Sequence, residues 1–140
     1  EALHFARRQM GLEDVVEFVG RQSPAEVVAQ MGWADVFLHP SVSEGFCNAA
    51  LEAQAMQLPV VATDADGLPE NIEDGRTGFV VPRRDPAALA DCLAALAADP
   101  ALRQAMGRAG RERVETCFSL SRQIAAFDRF YREVVTGHAR

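Results

Sequence analysis

The segment Leu58-Pro59-Val60-Val61-Ala62-Thr63 constrains the fold of this chain more than any other. An unbroken apolar, β-branched run of strand length suits a strand covered on both faces, and such strands belong to parallel sheets packed between helices. The rest of the first half fits, because short apolar runs alternate there with helix-length stretches in a βα pattern. Val15-Val16-Glu17-Phe18-Val19 reads as a strand ended by Gly20. Asp35-Val36-Phe37-Leu38-His39 reads as a second, stopped by Pro40, and Gly78-Phe79-Val80-Val81 as a short one after the turn Asp74-Gly75-Arg76-Thr77. Ser23-Pro24 starts a helix, with Ser23 as N-cap, Pro24 at the first position and Glu26 completing a capping box. A helix from about Asn48 to Met56 precedes the central run. In the second half, Asp85-Pro86 opens a helix carrying Leu89, Leu93 and Leu96 on one stripe. Leu102, Met106, Ala109 and Cys117 mark a second helix, and Ser119 caps a third with Ile124, Phe127, Tyr131 and Val134. One α/β domain with a helical tail, over residues 1–140, is the expectation.

Composition narrows the function classes. Of the 140 residues 49% are apolar, enough for a real core, and the formal charge of −6 argues against a general nucleic-acid binder, which needs a basic excess. The three cysteines, Cys47, Cys92 and Cys117, are odd in number and lack a short metal spacing, which fits a reducing compartment. No apolar run is long enough to span a membrane and no secretion signal opens the chain, so a soluble cytoplasmic domain is expected. Glu1 to Met10 begins inside a helix-like pattern without an initiator methionine, so a segment upstream is expected to be missing.

The chemically informative stretch is Ser41-Val42-Ser43-Glu44-Gly45-Phe46-Cys47-Asn48. It joins a strand end to a helix start, the edge at which open parallel sheets bind ligands. The first turn of that helix offers unpaired N–H groups to an anion, Gly45 lets the backbone come close, and Asn48 either caps the helix or reaches outward. Glu52 lies one turn into the helix and leans toward its N-terminus, displaced enough from a bound phosphate to accept hydrogen bonds from ribose hydroxyls. Glu44 would lie on the far side, where a carboxylate can fix sugar hydroxyls or stabilise positive charge on a sugar. Taken alone, however, a glutamate early in a helix is favoured by the macrodipole and one in a loop is ordinarily solvated.

The surrounding residues decide between these readings. Pro40-Ser41, then Ser43-Glu44-Gly45-Phe46-Cys47-Asn48-Ala49-Ala50-Leu51-Glu52-Ala53, then the Pro59-Val60-Val61 strand, resembles the signature of the large retaining GT-B glycosyltransferase family often called group 1. The likeness continues through Gly67-Leu68-Pro69-Glu70, Gly75 to Val81 and Asp85, covering roughly residues 12 to 132. It implies a Rossmann-like sheet with flanking helices: the second, donor-binding domain of a GT-B fold, truncated at its N-terminus and lacking the acceptor domain. By that analogy Glu44 contacts the transferred sugar and acts in catalysis, Glu52 holds the ribose, and the N–H groups of Phe46, Cys47 and Asn48 hold the diphosphate of a nucleoside diphosphate sugar. The reaction implied is transfer to an acceptor hydroxyl with retention, with no cofactor and no metal. Attachment to a membrane surface stays open for the intact protein. Cys47 departs from the pattern, which often has glycine there.

Other residues are weaker candidates. Arg21 follows Gly20 and could meet a base or phosphate, although a solvated arginine explains it too. His39 reads as a packed histidine. Asp64, Asp66 and Glu70 follow the central strand but lack the geometry of a metal site. Gly67 and Glu70 either line the sugar end of the pocket or simply make a turn. The rival readings are a non-catalytic interaction module and a GT-B phosphorylase or epimerase domain. The family's basic pair for the diphosphate lies upstream of Glu1, so the chain alone is expected to bind donor weakly and to be inactive. Phe130, Tyr131 and Val134 are expected to be partly exposed and to favour self-association.

Overall fold

The computed structural model describes residues 1–137. It divides into two compact units, one over Glu1–Gln30 and one from Met31 onward. Helix α1 (Ala2–Gln9) belongs to the first unit, and α2 (Pro24–Trp33) begins in it. The capping box at α2 forms as its sequence requires: Ser23 N–H donates to Glu26 Oε2 at 2.7 Å and Glu26 N–H to Ser23 Oγ at 3.4 Å. The strand expected at Val15–Val19 does not form. The amides of Val15 and Val16 both turn back to the carbonyl of Leu12, and Val15 and Val19 are exposed. β-branched content favours a strand only where a neighbour completes the ladder, and here the first amides are spent on a local turn.

The second unit holds a parallel three-stranded sheet in the order β1 (Phe37–His39), β2 (Val60–Thr63), β3 (Gly78–Val81). Register pairs His39 with Ala62 and Thr63 with Val81, so the strands end along one edge. All four residues of central β2 are buried, in keeping with a parallel strand covered on both faces. Helix α3 (Asn48–Ala55) connects β1 to β2, and the short α4 (Leu68–Asn71) lies between β2 and β3. Three longer helices follow: α5 (Pro86–Ala98), α6 (Pro100–Cys117) and α7 (Leu120–Gly137). Asp85 caps α5 through Ala88 N–H, and Asp99 caps α6 through Leu102 N–H. Val61, Leu96 and Met106 form a buried cluster flanked by Val36, Phe79 and Leu93, joining β2, α5 and α6. Helix α6 also packs on α3. That approach depends on Gly107, since a Cβ there would lie 2.0 Å from the carbonyl oxygen of Gln57.

Ser119 does not cap α7 with its side chain among the described contacts; its Oγ meets Ser121 Oγ at 3.2 Å. Helix α7 buries none of its residues, and Ile124, Phe127, Phe130 and Tyr131 are all more than half exposed. Among the described residues, no helix is long and apolar enough to cross a membrane.

Candidate functional site

The β1–α3 loop leaves the sheet at the edge where the strands end. Three side chains hold it there. Thr63, the last residue of β2, donates its hydroxyl to the carbonyl of Ser41 at 2.5 Å. Asp66 accepts from the amide of Glu44 and from the hydroxyl of Ser43, each at 2.9 Å. Asn71, fully buried, donates its side-chain amide to the carbonyls of both Phe46 and Cys47. Gly67 completes the seat, because a Cβ at that position would come within 2.3 Å of the Gly45 carbonyl oxygen.

With the Phe46 and Cys47 carbonyls drawn inward, the Cys47 and Asn48 N–H groups of the same planar peptides point the opposite way. Phe46, Cys47 and Asn48 N–H groups donate to no protein acceptor among the described residues, so the start of α3 presents three unpaired donors. Cys47, rather than Asn48, is the N-cap, and it reaches that position with φ of 53° and ψ of 72°. This left-handed conformation is one that glycine adopts freely and other residues adopt at a cost. Asn48 is the first helical residue, exposed, so the capping alternative for its side chain is set aside. The Cys47 thiol is buried, and burial pushes its pKa up, with the Glu44 and Glu52 charges adding to the effect while the amides of Ala49 and Ala50 oppose it. It is no activated nucleophile.

Glu44 is anchored as an anion. Its Oε2 lies 2.8 Å from His39 Nε2 and 3.4 Å from the Ser41 hydroxyl, and its Oε1 accepts from Gly45 N–H at 3.2 Å. The hydrogen bond from His39 is the main reason its pKa falls below the ordinary carboxylate range. His39, read from the sequence as an ordinary packed histidine, is therefore the direct partner of Glu44. Glu52, one turn into α3, is exposed, and its carboxylate has no hydrogen-bond or ion-pair partner among the described residues. The two glutamates thus flank the same helix start, one held and one open.

The acidic residues after β2 serve the loop. Arg83 binds Asp64 by a 3.1 Å side-chain contact, donates to the carbonyls of Asp64 and Val42, and lies 3.7 Å from Asp66. Asp64 is held below its usual pKa chiefly by the Arg83 backbone amide, and Asp66 chiefly by the Glu44 amide. Glu70 lies in α4 with its carbonyl accepting from Arg113 at 2.8 Å. Arg21 belongs to the first unit, outside the unit that carries the remaining candidates. Asn71 and Arg83 were missed from sequence because their partners lie across the chain, where no periodicity or short motif signals the contact.

A family model described as "Glycosyl transferases group 1" matches residues 1–99 of this chain. The chain belongs to the group 1 glycosyl transferases. Among curated relatives, the D-inositol 3-phosphate glycosyltransferase of Streptomyces avermitilis is 38% identical over 140 residues, covering 100% of this chain and 30% of that protein. Among solved structures, sucrose-phosphate synthase from Thermosynechococcus elongatus superposes with a TM-score of 0.88 at 31% identity, over 96% of this chain and 34% of that one. Anabaena Alr3699/HepE in complex with UDP-glucose superposes with a TM-score of 0.82 at 23% identity, over 97% of this chain and 36% of that one, a likeness of fold. This group 1 glycosyl transferase chain therefore has the GT-B type of α/β architecture and spans 30% of the length of the curated relative.

Proposed function

We propose that the chain is the C-terminal, donor-binding domain of a retaining glycosyltransferase, which moves a sugar from a nucleoside diphosphate to an acceptor hydroxyl. One observation carries the reading: Glu44 and Glu52 flank a helix start whose Phe46, Cys47 and Asn48 amides are unpaired, with the carbonyls of Phe46 and Cys47 drawn inward by Asn71. A diphosphate accepts from those three amides and from the positive end of α3. Glu52, with an open carboxylate, accepts from ribose hydroxyls. Glu44 faces the sugar, and its depressed pKa keeps it negative where positive charge develops as the bond to the leaving diphosphate breaks. The UDP-glucose found in the HepE structure is a donor of the class this arrangement suits.

Two further parts of the reading concern the whole protein. An acceptor domain preceding this chain supplies the other wall of the cleft and the cations that neutralise the diphosphate. The three free cysteines fit a reducing, cytoplasmic location. Product stereochemistry tests the reaction class. Proton NMR of the glycoside formed by the full-length protein should show the anomeric configuration of the donor, and inversion would refute the retaining assignment.

A further inference from the structure

We propose that His39, Glu44 and Cys47 form a binding site for a borderline-soft divalent cation of the zinc class, and that its occupation withdraws Glu44 from the donor. The first half stands on geometry alone. The second rests on the function proposed above.

One ligand atom from each of the three side chains lies within 4.8 Å of the other two. Imidazole nitrogen, carboxylate oxygen and thiolate sulfur together make a donor set suited to zinc and poorly suited to magnesium or calcium. In a tetrahedral zinc site such atoms stand about 3.4–3.6 Å apart. The 2.8 Å contact between His39 Nε2 and Glu44 Oε2 therefore opens by roughly half an ångström, and no separation has to close by more than about 1.3 Å. The supports are fixed. His39 ends β1, Cys47 is locked in its left-handed turn with its carbonyl on Asn71, and the Glu44 amide is tied to Asp66. Three protein ligands leave a fourth position for water, the pattern of sites that exchange ligands. Ser41 Oγ, 3.0 Å from His39 Nε2, is placed to bond that water.

Two comparisons within the molecule sharpen the assignment. Asp64 and Asp66 are acidic and close together, yet Arg83, the Glu44 amide and Ser43 already occupy them. Cys92 and Cys117 contribute to no such group among the described residues. When a cation binds, the thiol proton leaves to solvent as the sulfur–metal bond forms, and no electron changes hands. A cation on Glu44 cancels the charge offered to the sugar, so the metal is an inhibitor here and takes no part in transfer.

Cobalt(II) serves as the probe, because a thiolate bound to it gives a strong near-ultraviolet charge-transfer absorption. The full-length protein carrying this chain is titrated with cobalt(II), beside Cys47→Gly, His39→Ala and the double variant Cys92→Ser/Cys117→Ser. Glycine accepts the φ of residue 47, so the first variant keeps the turn. The expected result is a saturating absorption at one equivalent, displaced by zinc, lost in Cys47→Gly, diminished in His39→Ala and retained in the double variant. Absence of the absorption in wild type, or its persistence in Cys47→Gly, overturns the site. Zinc should also lower the rate of sugar transfer from UDP-glucose in wild type, with a much smaller effect on donor binding, and not in Cys47→Gly. If the cobalt absorption behaves as expected while zinc leaves the transfer rate untouched, the cation site stands and the placing of Glu44 on the donor falls.

Discussion

At the scale of single residues, the loop before α3 owes its shape to a few side chains that bond backbone atoms. Asn71 is the most consequential, since its buried amide is the donor for two successive carbonyls. Asn71→Ala leaves both without that donor and should cost about 1–3 kcal/mol, read as a lower urea midpoint. Cys47→Gly trades a buried thiol for relief of a left-handed backbone, two effects of roughly 1 kcal/mol and opposite sign, so its midpoint should barely move. Asp66 links the loop to pH. Its folded pKa is depressed, so its contribution is full above about pH 4, the ordinary aspartate range, and fades as pH falls through the lower folded value. The stability gap between wild type and Asp66→Asn should therefore be constant at neutral pH and close in acid. A gap that widened below pH 4 would contradict the assignment.

At the scale of elements, legibility followed how locally each piece is determined. Caps and buried runs were readable: Ser23 with Glu26, Asp85, and the Val60–Thr63 strand are specified by neighbours in sequence. The loop-to-helix position of Glu44 and Glu52 was readable for the same reason. Val15–Val19 was misread, because strand propensity says nothing about whether a partner is present, and Leu12 takes its first amides. The His39 contact to Glu44 was missed because a histidine at a strand end gives no sign of which way the following loop folds back. Likewise, nothing local in α6 announces that Gly107 touches the backbone of Gln57. Adding a methyl there, Gly107→Ala, forces α6 away from α3 and should destabilise by about 1–3 kcal/mol, despite alanine's better helix propensity. Urea denaturation distinguishes the two effects by sign.

At the scale of the whole molecule, the chain presents a helix with an apolar face and a candidate donor site at one edge of its sheet. Helix α7 exposes Ile124, Phe127, Phe130 and Tyr131, and patches of this kind drive association. Light scattering of the isolated chain should show mass rising with concentration, and Phe127→Glu with Phe130→Glu should reduce it. A monomer at all concentrations would contradict the expectation. The donor site is the central claim, and it assigns different work to two glutamates on one helix start. The deciding measurement pairs calorimetric titration of UDP-, GDP- and ADP-sugars with transfer rates for the full-length protein, wild type, Glu44→Ala and Glu52→Ala. Glu52→Ala should weaken donor binding, whereas Glu44→Ala should lower the transfer rate by about 10²–10³ with a much smaller loss of binding. Normal binding and normal transfer in both variants would contradict the account.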